Sequence, residues 1–331
     1  MTLRPTLRPW RSDRAGTDRV KLLFITSNRL GDAVLSTGLL NHLIQAGDVR
    51  TTVACGPVPS NMFASLPGLD RIIAIPKKPR GGHWRSLWQQ CIGTRWDQII
   101  DLRASPVSYF LRAGRRRVMF KAGEGHRVES LTRWYGVDTM LAPCIWSAPE
   151  HKREADEAIP DGPPILGLAP TANWQGKIWP ADRFLALANR LTGPGGALPG
   201  ARIAIFGGPG EQPLAAPILE GLGPARCIDL VGQRNLIAAA ESMRRCALVV
   251  SNDSGLMHLA AAGGAPTLGL FGPSRMDFYA PWGDHTASIA TEIPFEDLFG
   301  PGYDTHTTGS LMTSLSMERV HEAAIELLER L

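Results

Sequence analysis

The stretch ITSNRLGDAVLSTGLLNHL, residues 25–43, sets Gly31 and Asp32 between a greasy run and a helical pattern with Leu35, Leu39 and Leu43 on one face. A carboxylate at the carboxyl edge of a first parallel strand can take the proton of a bound hydroxyl. Asp32 can equally cap the helix that follows, a common role for Asp. No GxGxxG occurs in this turn, so a dinucleotide cofactor is not indicated.

Three later stretches repeat the theme of apolar run, small or polar loop, then helix. GLAPTANWQGKIWPADRFLALANRL, residues 167–191, carries Thr171 in its loop, Pro180 where a helix should open, and Phe184, Leu187, Ala188 and Leu191 as a core face. Lys177 stands just before that helix, where a cation opposes the helix dipole. An anion held between them resolves the conflict, and a solvated surface lysine is the plain alternative. IAIFGGPGEQPL, residues 203–214, places Glu211 after a tight turn, either to accept the hydroxyls of a ribose or to sit at a helix start. In VVSNDSGLMHLAAAGGAPTLGLFGPS, residues 249–274, Asp253, Ser254 and Gly255 follow an apolar strand and open a helix. The first amides of that helix would face an anion such as a phosphate. Gly255 permits close backbone approach. Leu256 and His258 lie just inside the helix, and His258 reads equally as a satisfied core residue.

Positioning these residues calls for parallel strands with crossover helices. Strands are expected at 20–26, 51–54, 71–75, 98–102 and 117–120, then at 165–169, 202–206, 227–230, 247–251 and 267–271. Short β-rich runs alternating with helical patterns describe an α/β protein, here two Rossmann-like domains. The Pro-rich, charged stretch APCIWSAPEHKREADEAIPDGPP separates them. The expected division is therefore a loose basic tail at 1–19, domains at 20–160 and 161–315, and a terminal amphipathic helix at 316–331. That helix should turn Met317, Val320, Ala324, Leu327, Leu328 and Leu331 inward.

With 331 residues, 44% of them hydrophobic, the chain can bury two cores of ordinary size. No apolar stretch approaches the roughly 18 to 20 residues that span a bilayer. Residues 1–19 lack the apolar segment of a secretory signal. The five cysteines form no CxxC pair and are odd in number, so neither a disulfide framework nor a zinc site is expected. A reducing cytoplasm is the expected location.

Residues 1–150 hold 22 Lys and Arg against 11 Asp and Glu, while residues 151–331 hold 13 against 20. Opposite charges of +11 and −7 point to different ligands for the two halves. The basic half owes much to Arg112, Arg115, Arg116, Arg117, Lys121 and Arg127, and to a second cluster of Lys77, Lys78, Arg80 and Arg85. They read as solvated faces, or as the contacts of an anionic ligand. No nucleic-acid-reading motif accompanies them, and the second half is acidic, so nucleic acid is not the expected partner.

Gly31-Asp32, KIWPADRF, FGGPGE and SNDSGLMHLAAAGGAPTLGLFGPS, in this order, resemble the bacterial heptosyltransferases of glycosyltransferase family 9 across residues 20–331. The resemblance implies a GT-B fold, two Rossmann-like domains facing each other across a cleft. It also implies an ADP-heptose donor held by the second domain, and an inner-core lipopolysaccharide acceptor held by the first. By position Asp32 would be the general base and Lys177 the contact to the departing diphosphate, making these two the catalytic pair. Glu211 would hold the ribose. Gly31, Thr171, Asp253, Ser254, Gly255, Leu256 and His258 would complete the donor contacts. Ser254 stands where the family often has Thr, and TANWQG departs from the family pattern. The acceptor contacts expected are Arg112, Arg115, Arg116, Arg117, Lys77, Lys78 and Arg80, for a lipid-linked anionic saccharide met at the cytoplasmic face of the inner membrane. No DxD sequence occurs, so no cofactor or carboxylate-held metal is called for. An epimerase of the same architecture and a non-catalytic glycan-binding protein are the alternative readings.

Overall fold

The computed structural model describes residues 19–121, 123–232, 235–300, 302–304 and 309–331. The tail expected at 1–19 lies outside them except for Arg19. The chain divides into two compact units, Met1–Trp146 and Ser147–Leu331.

In the first unit the elements run β1 (Val20–Ile25), α1 (Leu30–Leu35), α2 (Thr37–Gln45), β2 (Val49–Cys55), β3 (Leu69–Ala74), α3 (Gly82–Cys91), β4 (Trp96–Asp101), β5 (Ala113–Val118) and α4 (Arg127–Tyr135). All strand pairs are parallel, in the order β3-β2-β1-β4-β5. The central strand β1, VKLLFI, buries every residue except Lys21. It is apolar without alternation because both faces of a parallel sheet are covered. Leu23, Ile25, Ile73, Leu87, Trp96 and Ile99 share one core.

The second unit runs α5 (Pro149–Ala158), β6 (Ile165–Ala169), α6 (Ala181–Thr192), β7 (Arg202–Gly207), α7 (Gln212–Leu222), β8 (Cys227–Val231), α8 (Leu236–Arg244), β9 (Leu248–Asn252), α9 (Gly255–Ala262), β10 (Thr267–Phe271), α10 (Met276–Tyr279), β11 (Thr286–Ala290) and α11 (Met317–Glu329). Its parallel strands lie in the order β11-β10-β9-β6-β7-β8. Both sheets therefore reverse winding direction once, between β1 and β4 and between β6 and β9. Ligands of doubly wound sheets sit outside the carboxyl ends of the strands at such a reversal.

Four expectations are corrected. β5 opens at Ala113 rather than 117, which puts Arg115, Arg116 and Arg117 inside a strand. β11 was not anticipated, because TASIA is an edge strand only half-buried and carries no apolar run. The division falls at Trp146, ahead of 160. Here Cys144 N donates to Thr37 Oγ1 (2.9 Å) and ties the start of the connecting stretch to the first unit. α5 packs on α8 in the second unit, with Arg245 donating to Ile159 O (2.6 Å) and Asp156 Oδ1 (2.5 Å). Finally, α11 buries Val320, Ala324 and Leu327 as expected, but Leu331 lies beyond its end and is exposed. Among the described residues no helix is long and apolar enough to cross a membrane.

α2 can lie against residues 141–142 because position 38 has no side chain: a Cβ there would stand 2.0 Å from Leu141 O. Gly to Ala inside a helix normally stabilises by about 1 kcal/mol. Gly38→Ala should instead destabilise by about 1–3 kcal/mol, the range for overpacking. Urea denaturation measures the sign, and a stabilised variant would refute this close approach.

Candidate functional site

In the second unit, the sequence-nominated residues collect at the reversal between β6 and β9. The loop after β6 carries Thr171, and a short 3-10 turn, Gln175–Lys177, carries Lys177. The next strand over ends at Asn252, followed by Asp253 and by Ser254 at the N-cap of α9. Asn252 is fully buried. Its Nδ2 donates to Pro170 O (2.7 Å) and its Oδ1 accepts from Trp179 N (3.1 Å). One side-chain amide thus spans both ends of the loop that holds Lys177. Trp179, also fully buried, donates from Nε1 to Leu315 O (2.9 Å) and packs edge-on against Phe184.

Lys177 Nζ lies 2.5 Å from Asp253 Oδ2, with the lysine side chain 23% exposed and the aspartate 8%. The anion that the lysine's position demands is therefore supplied by the chain itself. Beside this pair, Ser254 Oγ is buried and, among the described residues, makes no hydrogen bond. It does not cap α9. The first turn of that helix keeps the unpaired N–H groups of any helix start. Leu256 and His258 are buried within it.

Glu211 occupies the N-cap of α7 but makes no capping hydrogen bond. Its Oε2 instead accepts from Thr171 Oγ1 (2.5 Å) and from Gly208 N (2.6 Å). The carboxylate joins the loops after β6 and β7, which are adjacent strands, at the same sheet edge.

The reversal of the first unit lies between β1 and β4. Asp32 is the third residue of α1, whose N-cap is Arg29, so the capping role weighed for Asp32 is excluded. Its Oδ2 accepts from Ser27 Oγ (3.4 Å), and Ser27 Oγ accepts from Arg29 N (3.1 Å). The carboxylate is half-buried, with Ser27 as its side-chain partner among the described residues. Gly31 precedes it in the same turn. The loop is pressed from the side by Gly56, where a Cβ would meet Asn28 Cα at 2.5 Å.

Two residues at this edge were not anticipated. Asp101 ends β4, fully buried, and accepts from Arg103 N (2.8 Å), Ser105 N (2.9 Å) and Ser105 Oγ (2.6 Å). Arg103 donates from Nη1 to Asn28 Oδ1 (2.9 Å) and lies over the Trp84 ring at 4.6 Å from its centroid. Burial lowers the pKa of its guanidinium, against the opposing effects of the Asp101 and Cys55 charges. Burial likewise pushes the Cys55 thiol up to about 12, against the nearby Arg103 charge, which leaves an unreactive thiol at the end of β2. The available signal was DLRAS, a cation directly after a buried strand.

The basic residues do not form one patch. Lys77, Lys78 and Arg80 are exposed on the loop after β3 at one edge of the sheet, and Arg112 and Arg115 are exposed at β5 on the other. Arg116 and Arg117 correct the expectation of a solvated arginine run. Arg116 donates to Ser108 O (2.5 Å) and Leu111 O (2.8 Å). Arg117 donates to Tyr135 O (2.7 Å) and Trp134 O (3.0 Å) and lies over the Tyr135 ring at 4.6 Å. Both close the unit's own carbonyls, a packing role. Among the described residues no group of three or more His, Cys, Asp or Glu is arranged to hold a metal ion.

The model of glycosyltransferase family 9 (heptosyltransferase) matches residues 130–296, half of the chain. Lipooligosaccharide heptosyltransferase 2 of Haemophilus influenzae is 34% identical over 142 residues, 42% of this chain and 40% of that protein. The matched stretch thus spans less than half the length of this relative. Lipopolysaccharide heptosyltransferase 1 of Pseudomonas aeruginosa is 27% identical over 83% of this chain and 85% of its own. Among solved structures, a family 9 glycosyltransferase from Veillonella parvula superposes with a TM-score of 0.75 at 22% identity, covering 95% of this chain and 98% of that one. The ADP-heptose lps heptosyltransferase II of E. coli gives 0.73 at 24% identity, covering 94% and 99%. These likenesses establish a GT-B fold for the two α/β units. A matched half that contains the Lys177, Glu211 and Asp253 cluster, on that fold, makes the chain a member of glycosyltransferase family 9.

Proposed function

We propose that this protein transfers heptose from ADP-heptose to the inner core of lipopolysaccharide, or to a related anionic glycan, with inversion at the anomeric carbon. The observation that carries the proposal is the set of Thr171, Lys177, Glu211, Asp253 and Ser254 at one sheet reversal, within the part of the chain matched by the family model. The names of the relatives supply the sugar and the acceptor. A lipid-linked acceptor would be met at the cytoplasmic face of the inner membrane.

In this reading Glu211 and Thr171 receive the ribose hydroxyls. The diphosphate meets Ser254 Oγ, the amides opening α9 and the ammonium of Lys177, which exchanges the Asp253 carboxylate for phosphate oxygens. Asp32 takes the proton from the acceptor hydroxyl as its oxygen attacks the anomeric carbon. The bond from that carbon to the diphosphate breaks on the opposite side, and ADP leaves with the electron pair. Lys177 and the helix start act where negative charge develops. A direct displacement needs one base and inverts the centre.

ADP release from ADP-heptose should require a core acceptor. Incubation with several nucleotide sugars, with and without acceptor, checks this. Product from donor alone would mean an epimerase, and acceptor binding without ADP release a glycan-binding protein.

Asp32→Asn should lower kcat by about 10²- to 10⁴-fold, the range for losing a general base. ADP affinity should be nearly unchanged, because Asp32 is no cap and α1 loses only a carboxylate near its start. Normal turnover in this variant would remove Asp32 from the chemistry. Lys177→Ala should weaken ADP by about tenfold or more, as expected for a lost charge-assisted hydrogen bond, and weaken adenosine far less. Titration calorimetry with both ligands decides: equal losses would place Lys177 away from the diphosphate.

A further inference from the structure

Arg103 is a cation fixed at the carboxyl edge of β4 whose charge the first unit does not consume. Arg116 and Arg117, by contrast, each commit two of their guanidinium nitrogens to backbone carbonyls. The Arg103 guanidinium is clamped on one face by Trp84 and at Nη1 by Asn28. Among the described residues no carboxylate pairs with it. The nearest acid by charge effect, Asp101, has its oxygens engaged by two backbone amides and the Ser105 hydroxyl. The turn that presents Arg103 is strained as well. Ala104 has φ +50°, and only Arg80 shares a positive φ among the other described non-glycine residues. Such a conformation costs about 1–3 kcal/mol and persists where the surroundings impose it. Here the buried Asp101 imposes it by holding the amides on either side of Ala104.

The residue is also tied to the loop of Asp32. Asn28, its hydrogen-bond partner, lies between Ser27, which donates to Asp32, and Arg29, the N-cap residue of α1. With Nη1 on Asn28 and one face on Trp84, the Nε and Nη2 donors form the edge that remains. That edge matches the two oxygens of a carboxylate or phosphate in a planar, bidentate pair. We propose that Arg103 is an oxyanion receptor for the acceptor saccharide, reading a carboxylate or phosphate next to the hydroxyl that Asp32 deprotonates. This rests on the transfer reading above, with Asp32 facing the acceptor.

The test uses the full chain and deacylated lipopolysaccharide core saccharide in three forms: native, carboxyl-esterified and dephosphorylated. Arg103→Gln should raise the acceptor KM about 10- to 100-fold, the loss of a charge-assisted hydrogen bond, with the donor KM unchanged. The effect should vanish for whichever modified form lacks the oxyanion that Arg103 reads, which identifies carboxylate or phosphate. Arg103→Lys keeps the charge without the fork and should fall between; it also carries the test if thermal melting shows the Gln variant unfolded. Transfer with an unaltered acceptor KM in both variants overturns the receptor while leaving the transferase reading in place. If the parent transfers no heptose, that reading fails, and calorimetric titration of the three saccharides still decides for Arg103. Binding of the native form that is lost in the variant supports the receptor, and equal binding, or none by the parent, refutes it.

Discussion

A buried polar side chain at the end of one strand in each sheet is the constraint on which both sites depend. Asn252 ends β9 and Asp101 ends β4, and each of these strands is the one that joins the first strand of its sheet from the far side of the winding reversal. Both are fully buried. Neither could remain so without partners, since an unpaired buried polar group costs a large fraction of a domain's net stability. Their partners are backbone groups of the loops that carry Lys177 and Arg103. The requirement to satisfy a buried amide or carboxylate thus becomes the device that fixes a functional loop.

The two units then treat their cations differently. Lys177 has its counterion in Asp253, so the second unit is internally neutralised at this point. On the proposed reading a diphosphate would replace an existing ion pair there, and the pairing already made would be subtracted from any affinity it gains. What it would recover is the Ser254 hydroxyl, which makes no hydrogen bond among the described residues, and the amides that any helix start leaves without an intrahelical partner. Such a site favours a ligand that satisfies all of these donors together over one that offers charge alone. Arg103 has no such resident anion among the described residues, and its position is set by a ring face and an amide instead.

Much of this was legible in the sequence, because covered parallel strands announce themselves as apolar runs and the polar residues directly after them must lie at the carboxyl edge. That argument placed Glu211, Asp253 and Ser254 at this edge and anticipated ten of the strand regions, Lys177 was singled out as a cation ahead of a helix start, and Glu211 proved to serve its own loop while standing at the N-cap. Partners were not legible. Asp253 lies 76 residues from Lys177, and nothing local says that one neutralises the other. Arg115, Arg116 and Arg117 look alike in sequence, yet Arg115 is exposed while Arg116 reaches the carbonyls of Ser108 and Leu111 and Arg117, on the same strand face as Arg115, reaches those of Trp134 and Tyr135, partners that strand alternation alone does not foretell. Asp32 looked like a cap because Asp at a helix start so often is one. α1 begins three residues earlier than that reading requires. β11 escaped because a half-buried edge strand needs no apolar run.

The charge asymmetry between the halves also acquires a structural meaning different from its face value. A surplus of +11 in residues 1–150 suggests a broad anionic footprint. Part of it belongs to the tail, outside the described residues, part lies on Arg116 and Arg117, whose donors are taken up by backbone carbonyls, and the two exposed clusters, Lys77, Lys78 and Arg80 and Arg112 and Arg115, fall at opposite edges of one sheet. Exposed charges separated by more than the roughly 8–10 Å screening length act weakly on a common ligand at physiological salt. Net charge therefore says that an anion is tolerated near this unit, and selectivity has to come from cations held in fixed geometry. By that criterion the single half-buried Arg103, braced on the loop that carries Asp32, outweighs the more numerous surface lysines and arginines.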